Sequence, residues 1–257
     1  MNEDLLRKTR SAKALHKARV AQRRLRSAFS IFKPLYKADP QAAALRGELR
    51  WLAGELGEAR NLDVLVERTA AGALHDRFAA ARETTYDQVE AVLDTARARA
   101  VLLDLVEWLV DGPWLHAPKT KARRDEPARH FAAKALNKLR RKVKKRGRHL
   151  DTTDDETRHE VRKDAKKLRY ASEFFAVLFD HKPARKRHKR FVSALAALQD
   201  ELGHLNDLAT APEEMRKLGL EDDMQAKSLL DAGDKQALVT SAAQAHTKLI
   251  EAKRFWR

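Results

Sequence analysis

Apolar side chains recur every three or four residues along most of this chain, which is the spacing of one face of an α-helix. No run of alternating β-branched residues of the kind that predicts a strand is found. Glycine and proline number only 9 and 7, so they interrupt the helical pattern rarely and leave about eight helical segments. The pattern predicts an all-α protein of long antiparallel helices.

Helix boundaries are predicted where proline, glycine or clustered polar residues interrupt the periodicity. An aspartate precedes Pro40, and Asp154 or Asp155 precedes a later periodic segment, so these residues are predicted helix caps. The acidic cluster at 221–223 is also interpreted as a cap. The predicted breaks lie at 34–40, Gly72, 111–113, Pro118, 126–127, 151–155, 182–183, 211–212 and, more weakly, 232–234.

Two pairs of segments resemble each other and occur in the same order along the chain. Residues 16–26 read His-Lys-Ala-Arg-Val-Ala-Gln-Arg-Arg-Leu-Arg and align with residues 159–169 at an offset of 143. Residues 56–62, Leu-Gly-Glu-Ala-Arg-Asn-Leu, align with residues 202–208 at an offset of 146. We therefore predict a single domain, 1–257, built of two helical repeats at about 1–125 and 126–257.

Positive charge is segregated along the sequence. The chain holds 53 Lys and Arg against 37 Asp and Glu, a net charge of +16. Residues 1–37, 119–148 and 158–190 together carry +29, which leaves −13 on the remainder. Basic stretches within one domain repel one another by roughly 1 kcal/mol per close pair of charges. An anionic partner would relieve that repulsion, although a solvated helix face is the alternative for each stretch alone.

Basic residues of both repeats fall on one face of a helical projection. Leu15, Ala21 and Phe29 lie around the opposite side of the first helix, and Val161 and Leu168 do so in the second, so these sides are predicted to pack on a core. The predicted polyanion-binding faces are His16, Arg19, Arg23, Arg24 and Arg26 in the first repeat and His159, Arg162, Lys163, Lys166, Lys167, Arg169 and Tyr170 in the second.

Such a face has the chemistry to bind phosphate groups. The planar guanidinium of arginine binds two phosphate oxygens at once, and lysine supplies a compact cation. The spacing i, i+3, i+7 places successive cations roughly 5–6 Å apart, which suits a linear polymer that is charged on every monomer. A histidine among arginines protonates when an anion arrives. Because His16 and His159 occupy matched positions, we predict that both act as hydrogen-bond donors to phosphate rather than in a structural role.

Further candidates lie outside the two faces. Tyr170 is a weaker candidate than the cations, because a tyrosine at a helical step more often belongs to a core. Asp63 and Asp207 are interpreted as partners that orient basic side chains. A third basic stripe between 134 and 148 is either a ligand surface or a solvated face. These additional candidates are Arg60, Asn61 and Asn206 after the Leu-Gly pairs and, in the stripe, Lys138, Arg141 and Lys145, with Lys142 and Arg148 at the same spacing.

Composition and motifs disfavour several classes of protein. The absence of cysteine excludes disulfides, thiolate metal sites and a cysteine nucleophile. No apolar segment of about 18 residues predicts a membrane span, and the N-terminus lacks the apolar region of a signal peptide, so we expect a cytoplasmic protein. There is no Walker motif and no His-Glu-x-x-His pair. We predict a binding module with no catalytic residue, metal or cofactor.

Together these motifs resemble those of the CHAD family, the conserved histidine α-helical domains. The resemblance covers nearly the whole chain and rests on segments 16–26, 159–169, 56–63 and 202–207. It implies two pseudo-symmetric four-helix bundles around a basic central groove or pore. It also implies binding of long-chain inorganic polyphosphate and an association with polyphosphate granules.

The second repeat departs from the first at two places. Lys166 and Lys167 replace arginines, which keeps the charge but loses the bidentate geometry. Ala209 stands where the first repeat has Asp63.

Other functions compete with polyphosphate binding. Charge alone supports nucleic-acid binding equally well, but only 6% of the residues are aromatic, and single-strand binders stack bases on exposed aromatic side chains. The remaining alternatives are a helical adaptor for an acidic protein segment and an accessory domain of an enzyme that processes phosphate esters. The predicted partner is inorganic polyphosphate or a similar polyanion, with no membrane.

Overall fold

A computed structural model describes residues 9–37, 39–220, 223 and 235–257. Over these residues the chain forms helices and no β-strand, which confirms the prediction of an all-helical protein. The chain divides into two compact units, Met1–Asp125 and Glu126–Arg257, called here the N-terminal and C-terminal units. The predicted break at 232–234 and residues 221 and 222 of the acidic cluster lie outside the described residues.

The described part of the N-terminal unit contains five long helices and one short one. They are α1 (Ala12–Phe32), α2 (Pro40–Glu55), α3 (Gly57–Arg68), α4 (Ala73–Leu93), α5 (Ala96–Asp111) and α6 (Lys121–Arg124), with 3-10 turns at Lys33–Leu35, Pro113–Leu115 and Pro118–Thr120.

Four long helices make up the described part of the C-terminal unit. They are α7 (Ala128–Arg146), α8 (Asp155–Phe174), α9 (Lys182–Lys217) and α10 (Lys235–Glu251), with 3-10 turns at Gly147–His149 and Ala176–Phe179.

Polar side chains cap several of these helices, as expected for backbone N–H groups that a helix leaves without partners at its start. Asp39 accepts a backbone N–H at 2.9 Å before α2, and Asp154 accepts one at 2.8 Å before α8. These two caps were predicted. Ser11 and Thr95 cap α1 and α5 in the same way and were not predicted.

The predicted helix break at 211–212 is wrong. Helix α9 runs from Lys182 to Lys217 with Pro212 inside it. A proline within a helix removes one backbone hydrogen bond. Residues 209, 210, 212 and 213 are exposed, so water can replace the lost bond and the helix continues.

Two hydrophobic clusters hold α1 in the N-terminal unit. One joins α1 to α3 and α4 and includes Leu15 and Tyr86. The other joins α1 to α2 and α5 and includes Phe29, Leu45 and Trp108, with the rings of Phe29 and Trp108 stacked 5.1 Å apart. Because both ends of one side of α1 are buried, its basic side faces away from these clusters.

The core of the C-terminal unit fixes α8 in the same manner. Val161 and Leu168 of α8 are fully buried, as predicted, together with Phe191 of α9. The chain end closes this core, since Phe255 and Trp256 pack against Phe191 with ring centroids 6.0 and 5.2 Å apart. The polar side of α8 therefore points away from the core.

Candidate functional site

Four basic side chains gather on the polar side of α1. His16, Arg19 and Arg23 follow one another at i, i+3, i+7 on α1, and α3 contributes Arg60. Desolvation, followed by the positive charges of Arg60, Arg23 and Arg19, lowers the pKa of His16 below its ordinary value. We call these four residues the cationic cluster. The structure thus brings together four of the predicted site residues of this unit.

Arg19 is a half-buried member of the cationic cluster. Burial lowers its pKa, and the charges of Arg23, Arg60 and Arg26 lower it further. Its Nη1 donates a hydrogen bond to the carbonyl of Ala53 at 3.2 Å. This guanidinium also passes over Gly57, where an added Cβ would lie 3.4 Å from Nη1. Arg19 therefore lies against the first Leu-Gly pair at about van der Waals distance from a Cβ at this position.

Counter-charge is scarce at the cationic cluster. Among the described residues, no carboxylate forms an ion pair with His16, Arg19 or Arg23. The carboxylate of Asp63 is 3.9 Å from Arg60. The Nε of Arg23 is buried and has no hydrogen-bond acceptor among the described residues. A buried N–H without an acceptor costs about 1–3 kcal/mol, so the placement of this guanidinium among other cations is unfavourable in the free protein.

Asp63 connects the cluster to the rest of the N-terminal unit. It is fully buried, accepts a hydrogen bond from Arg82 Nε at 2.9 Å and another from the Tyr86 hydroxyl at 3.1 Å. Its interaction with Arg60 agrees with the predicted orienting role. Arg82 was not predicted, because it lies on α4 in a segment without a recognisable motif.

The remaining predicted residues of this unit lie outside the cationic cluster. Burial and the nearby charge of Arg50 lower the pKa of Arg26, one turn beyond the cluster. Arg50, on α2, was not predicted and belongs to no repeated motif. Arg24 is half-buried but is not among the charges that act on His16 or Arg19, and Asn61 is exposed.

One predicted packing residue of α1 is wrongly assigned. Ala21 was predicted on the buried side of the helix, but it is exposed. It lies between the two clusters that bury Leu15 and Phe29, and its short side chain reaches neither.

In the C-terminal unit, the structure brings His159 next to Asn206. The Nδ1 of His159 on α8 lies 2.5 Å from Oδ1 of Asn206 on α9. Both side chains line a cleft of about 360 Å³, which also contains the acidic residues Asp155 and Glu156. An anion in this cleft would therefore meet negative as well as positive groups.

The other cations of α8 are accompanied by carboxylates. Lys163 forms an ion pair with Glu160, and Arg169 forms one with Glu173 at 3.1 Å. Burial lowers the pKa of Lys167. The remaining predicted residues of this helix, Arg162, Lys166 and Tyr170, are half-buried.

The third basic stripe is joined to α8 through Asp164. This buried carboxylate pairs with Lys142 Nζ at 3.3 Å and with Arg146 Nη1 at 2.7 Å, both on α7. Asp207, by contrast, is exposed and forms no ion pair with a described residue, so the orienting role predicted for it belongs to Asp164. Lys138, Arg141, Lys145 and Arg148 are exposed along the rest of the stripe.

The described residues provide few other kinds of site. No group of three or more His, Asp or Glu among them is arranged to hold a metal ion. Their helices include none that is both long and apolar enough to cross a membrane.

Comparisons with known proteins identify relatives by family and by fold. The family model described as CHAD domain matches residues 1–216. A solved structure, the crystal structure of the CHAD domain from the plant Ricinus communis, is similar with a TM-score of 0.78 and 28% sequence identity. The similarity covers 98% of this chain and 86% of that chain. No curated protein matches the sequence significantly.

Proposed function

We propose, because this chain belongs to the CHAD domain family, that it binds inorganic polyphosphate and catalyses no reaction. The principal support is the cationic cluster, in which His16, Arg19 and Arg23 have no ion pair with a described carboxylate. Assembling such charges without counter-ions is unfavourable, as the lowered pKa values of His16 and Arg19 indicate. A polyanion supplies the missing negative charge along the whole row.

Polyphosphate suits the cluster better than a single phosphate. The three α1 residues span seven positions, or about 10 Å at 1.5 Å per residue. One polymer can therefore contact all of them. As the anion binds, its negative charge raises the pKa of His16, so the imidazole takes up a proton and becomes a second donor.

The C-terminal unit has a smaller role in this proposal. His159, Lys166 and Lys167 provide a second, weaker binding face, because the carboxylates of α8 compete with the polymer for the cations of that helix. The family resemblance adds two finer elements, namely two pseudo-symmetric four-helix bundles around a basic central groove and a cytoplasmic protein at polyphosphate granules. If His16 and His159 line one groove, long-chain polyphosphate should protect both from acylation by diethyl pyrocarbonate.

A competition experiment tests the proposal. Labelled long-chain polyphosphate bound to the full chain should be displaced by unlabelled polyphosphate but not by DNA or RNA of equal charge at physiological salt. Affinity should fall linearly with the logarithm of salt concentration, because bound counter-ions are released. Displacement by RNA at equal charge would favour the nucleic-acid alternative.

Charge reversal identifies the binding surface. Arg23→Glu combined with Lys166→Glu should abolish retention on immobilised polyphosphate while helicity stays unchanged. The exposed residues Arg77 of α4 and Lys253 offer a matched control, since Arg77→Glu combined with Lys253→Glu makes the same change of charge away from the cluster. Equal losses in both proteins would show that net charge, rather than this surface, governs binding.

A further inference from the structure

Helix α5 turns an apolar stripe away from the core of the N-terminal unit. Val101, Leu105 and Trp108 are buried on one side of the helix. The opposite side exposes Leu102, Leu103, Val106, Leu109 and Val110, of which Val110 retains 74% of its accessible surface. Contiguous exposed apolar patches often mark interaction sites.

Charges are distributed unevenly along this stripe. Its N-terminal end carries Arg99, and its C-terminal half is flanked by Asp104, Glu107 and Asp111, all exposed. The three acidic side chains form no ion pair with a described residue. Helix α5 is therefore amphipathic, basic at its start and acidic at its end.

The C-terminal unit contains a groove whose charges could complement those of α5. Helices α9 and α10 border a space of about 910 Å³ that is lined by five small side chains and five cations, together with Glu201 and Gln244. Lys248, near the end of α10, lies toward the start of α9, because Phe255 beyond it packs on Phe191. One end of the groove is therefore basic, and Glu201 lies toward the other. Its small side chains are Ser193, Ala194, Ala197, Ser241 and Ala245, and its cations are Arg185, Lys186, Lys189, Arg190 and Lys248.

We infer that α5 of one copy of this protein docks in the α9–α10 groove of a second copy. The acidic half of α5 would lie over the basic end of the groove, and Arg99 would lie toward Glu201. The distances agree, since Arg99 to Asp111 and Lys189 to Glu201 each span twelve positions, or about 18 Å. Small residues in the groove let the backbone of a docked helix approach closely, with its leucines and valines against them.

The size of the contact predicts a reversible assembly. Five half-exposed aliphatic side chains and the groove walls give on the order of 1,000 Å² of buried surface, near the lower limit of specific interfaces. The two contacting surfaces differ, so the interface is heterologous. Further copies can therefore add to the assembly unless two copies exchange their α5 helices symmetrically and close it as a dimer. This inference does not depend on polyphosphate binding.

Sedimentation velocity of the full chain, without polyanion, tests the inference. The wild type should form dimers or larger species as concentration rises to about 100 µM, a range suited to weak interfaces. Val106→Glu, Glu107→Lys and Lys189→Glu should each weaken association at least about tenfold. Because these positions are exposed, circular dichroism should remain unchanged. Exposed positions elsewhere provide matched controls, Glu67→Lys and Lys253→Glu, which should associate as the wild type does.

Mixing two variants separates this contact from others. Glu107→Lys protein should recover association when mixed with Lys189→Glu protein, because the reversed α5 then meets a reversed groove. A wild type that stays monomeric would overturn the inference. So would loss of association in Val106→Glu alone, which indicates pairing of α5 with itself, or a Lys189→Glu protein that binds polyphosphate less well but assembles normally.

Discussion

In the N-terminal unit, His16, Arg19 and Arg23 face another cation, Arg60, whereas the matching helix α8 of the C-terminal unit carries carboxylates among its cations. Lys163 is paired with Glu160. The cations of the first helix are therefore available to an external anion, whereas several cations of the second helix are already paired with carboxylates of the protein. The same spacing of basic residues thus predicts a binding face in both units, but the two faces should differ in their affinity for an anion.

The positions of the buried aspartates of the two units account for part of this difference. Asp63 and Asp164 are the buried carboxylates of the described residues. Asp63 lies on α3 and aligns with Ala209, whereas Asp164 lies on the basic helix α8 itself and aligns with Ala21. The described part of each unit therefore buries one carboxylate, which lies within the basic motif in the C-terminal unit but outside it in the N-terminal unit.

The largest expected effect concerns the stability that these aspartates provide. Removing one partner of a buried ion pair costs about 3–5 kcal/mol. Asp63→Ala should approach this loss because Arg82 is largely shielded, and Asp164→Ala should lose less because Lys142 and Arg146 reach solvent. Urea unfolding followed by circular dichroism measures both.

Asp207→Ala serves as the control for these two variants, since Asp207 is exposed. Its free energy of unfolding should change by no more than about 0.5 kcal/mol. A loss in Asp63→Ala as small as that of Asp207→Ala would contradict the structural role assigned to Asp63.

A smaller effect should distinguish the two basic faces in binding. Arg23→Ala removes hydrogen bonds to charged oxygens worth about 1.5–3 kcal/mol, so polyphosphate affinity should fall roughly ten- to hundredfold. Lys163→Ala should reduce it only a few fold, because Lys163 is shared with Glu160. Glu160→Gln should raise affinity by freeing Lys163. Calorimetric titration of the three proteins measures these affinities. A greater loss of affinity in Lys163→Ala than in Arg23→Ala would contradict the prediction.

The pH dependence of binding should follow the protonation of His16. Desolvation and neighbouring arginines hold the pKa of His16 below its ordinary value of 6.5, so the imidazole is mainly neutral in the free protein at pH 7. A bound polyanion raises this pKa. Binding then takes up a proton, and affinity should increase as pH falls from 8 toward 6. His16→Gln should remove most of this increase, and an unchanged slope would place the proton uptake elsewhere.

The smallest effects are expected at the two Leu-Gly pairs. An added Cβ at Gly203 meets nothing within 4 Å, so Gly203→Ala should stabilise α9 by about 0.5–1 kcal/mol without changing affinity. At Gly57 the new methyl group would only reach van der Waals contact with the end of the Arg19 side chain, so Gly57→Ala should leave polyphosphate affinity nearly unchanged. A clear loss of affinity in Gly57→Ala alone would show that Arg19 cannot adjust to this contact.

Local chemistry explains why much of the fold could be predicted. Asp39 and Asp154 cap helices with atoms a few residues away, and this interaction needs no knowledge of the rest of the chain. Pro212 and Ala21 were predicted wrongly because exposure decided both outcomes. A helix tolerates proline where water reaches the backbone, and an alanine is buried only if a neighbouring element comes close enough.

The sequence by itself determined that the chain is helical and that each repeat carries a row of cations, since both follow from a periodicity of 3.6 residues. Tertiary structure alone decided which cations keep their charge available. Arg82 of α4 meets Asp63 of α3, and Lys142 of α7 meets Asp164 of α8, because packing joins residues on different helices. Electrostatic energy depends on distance in space, which spacing along the chain does not give.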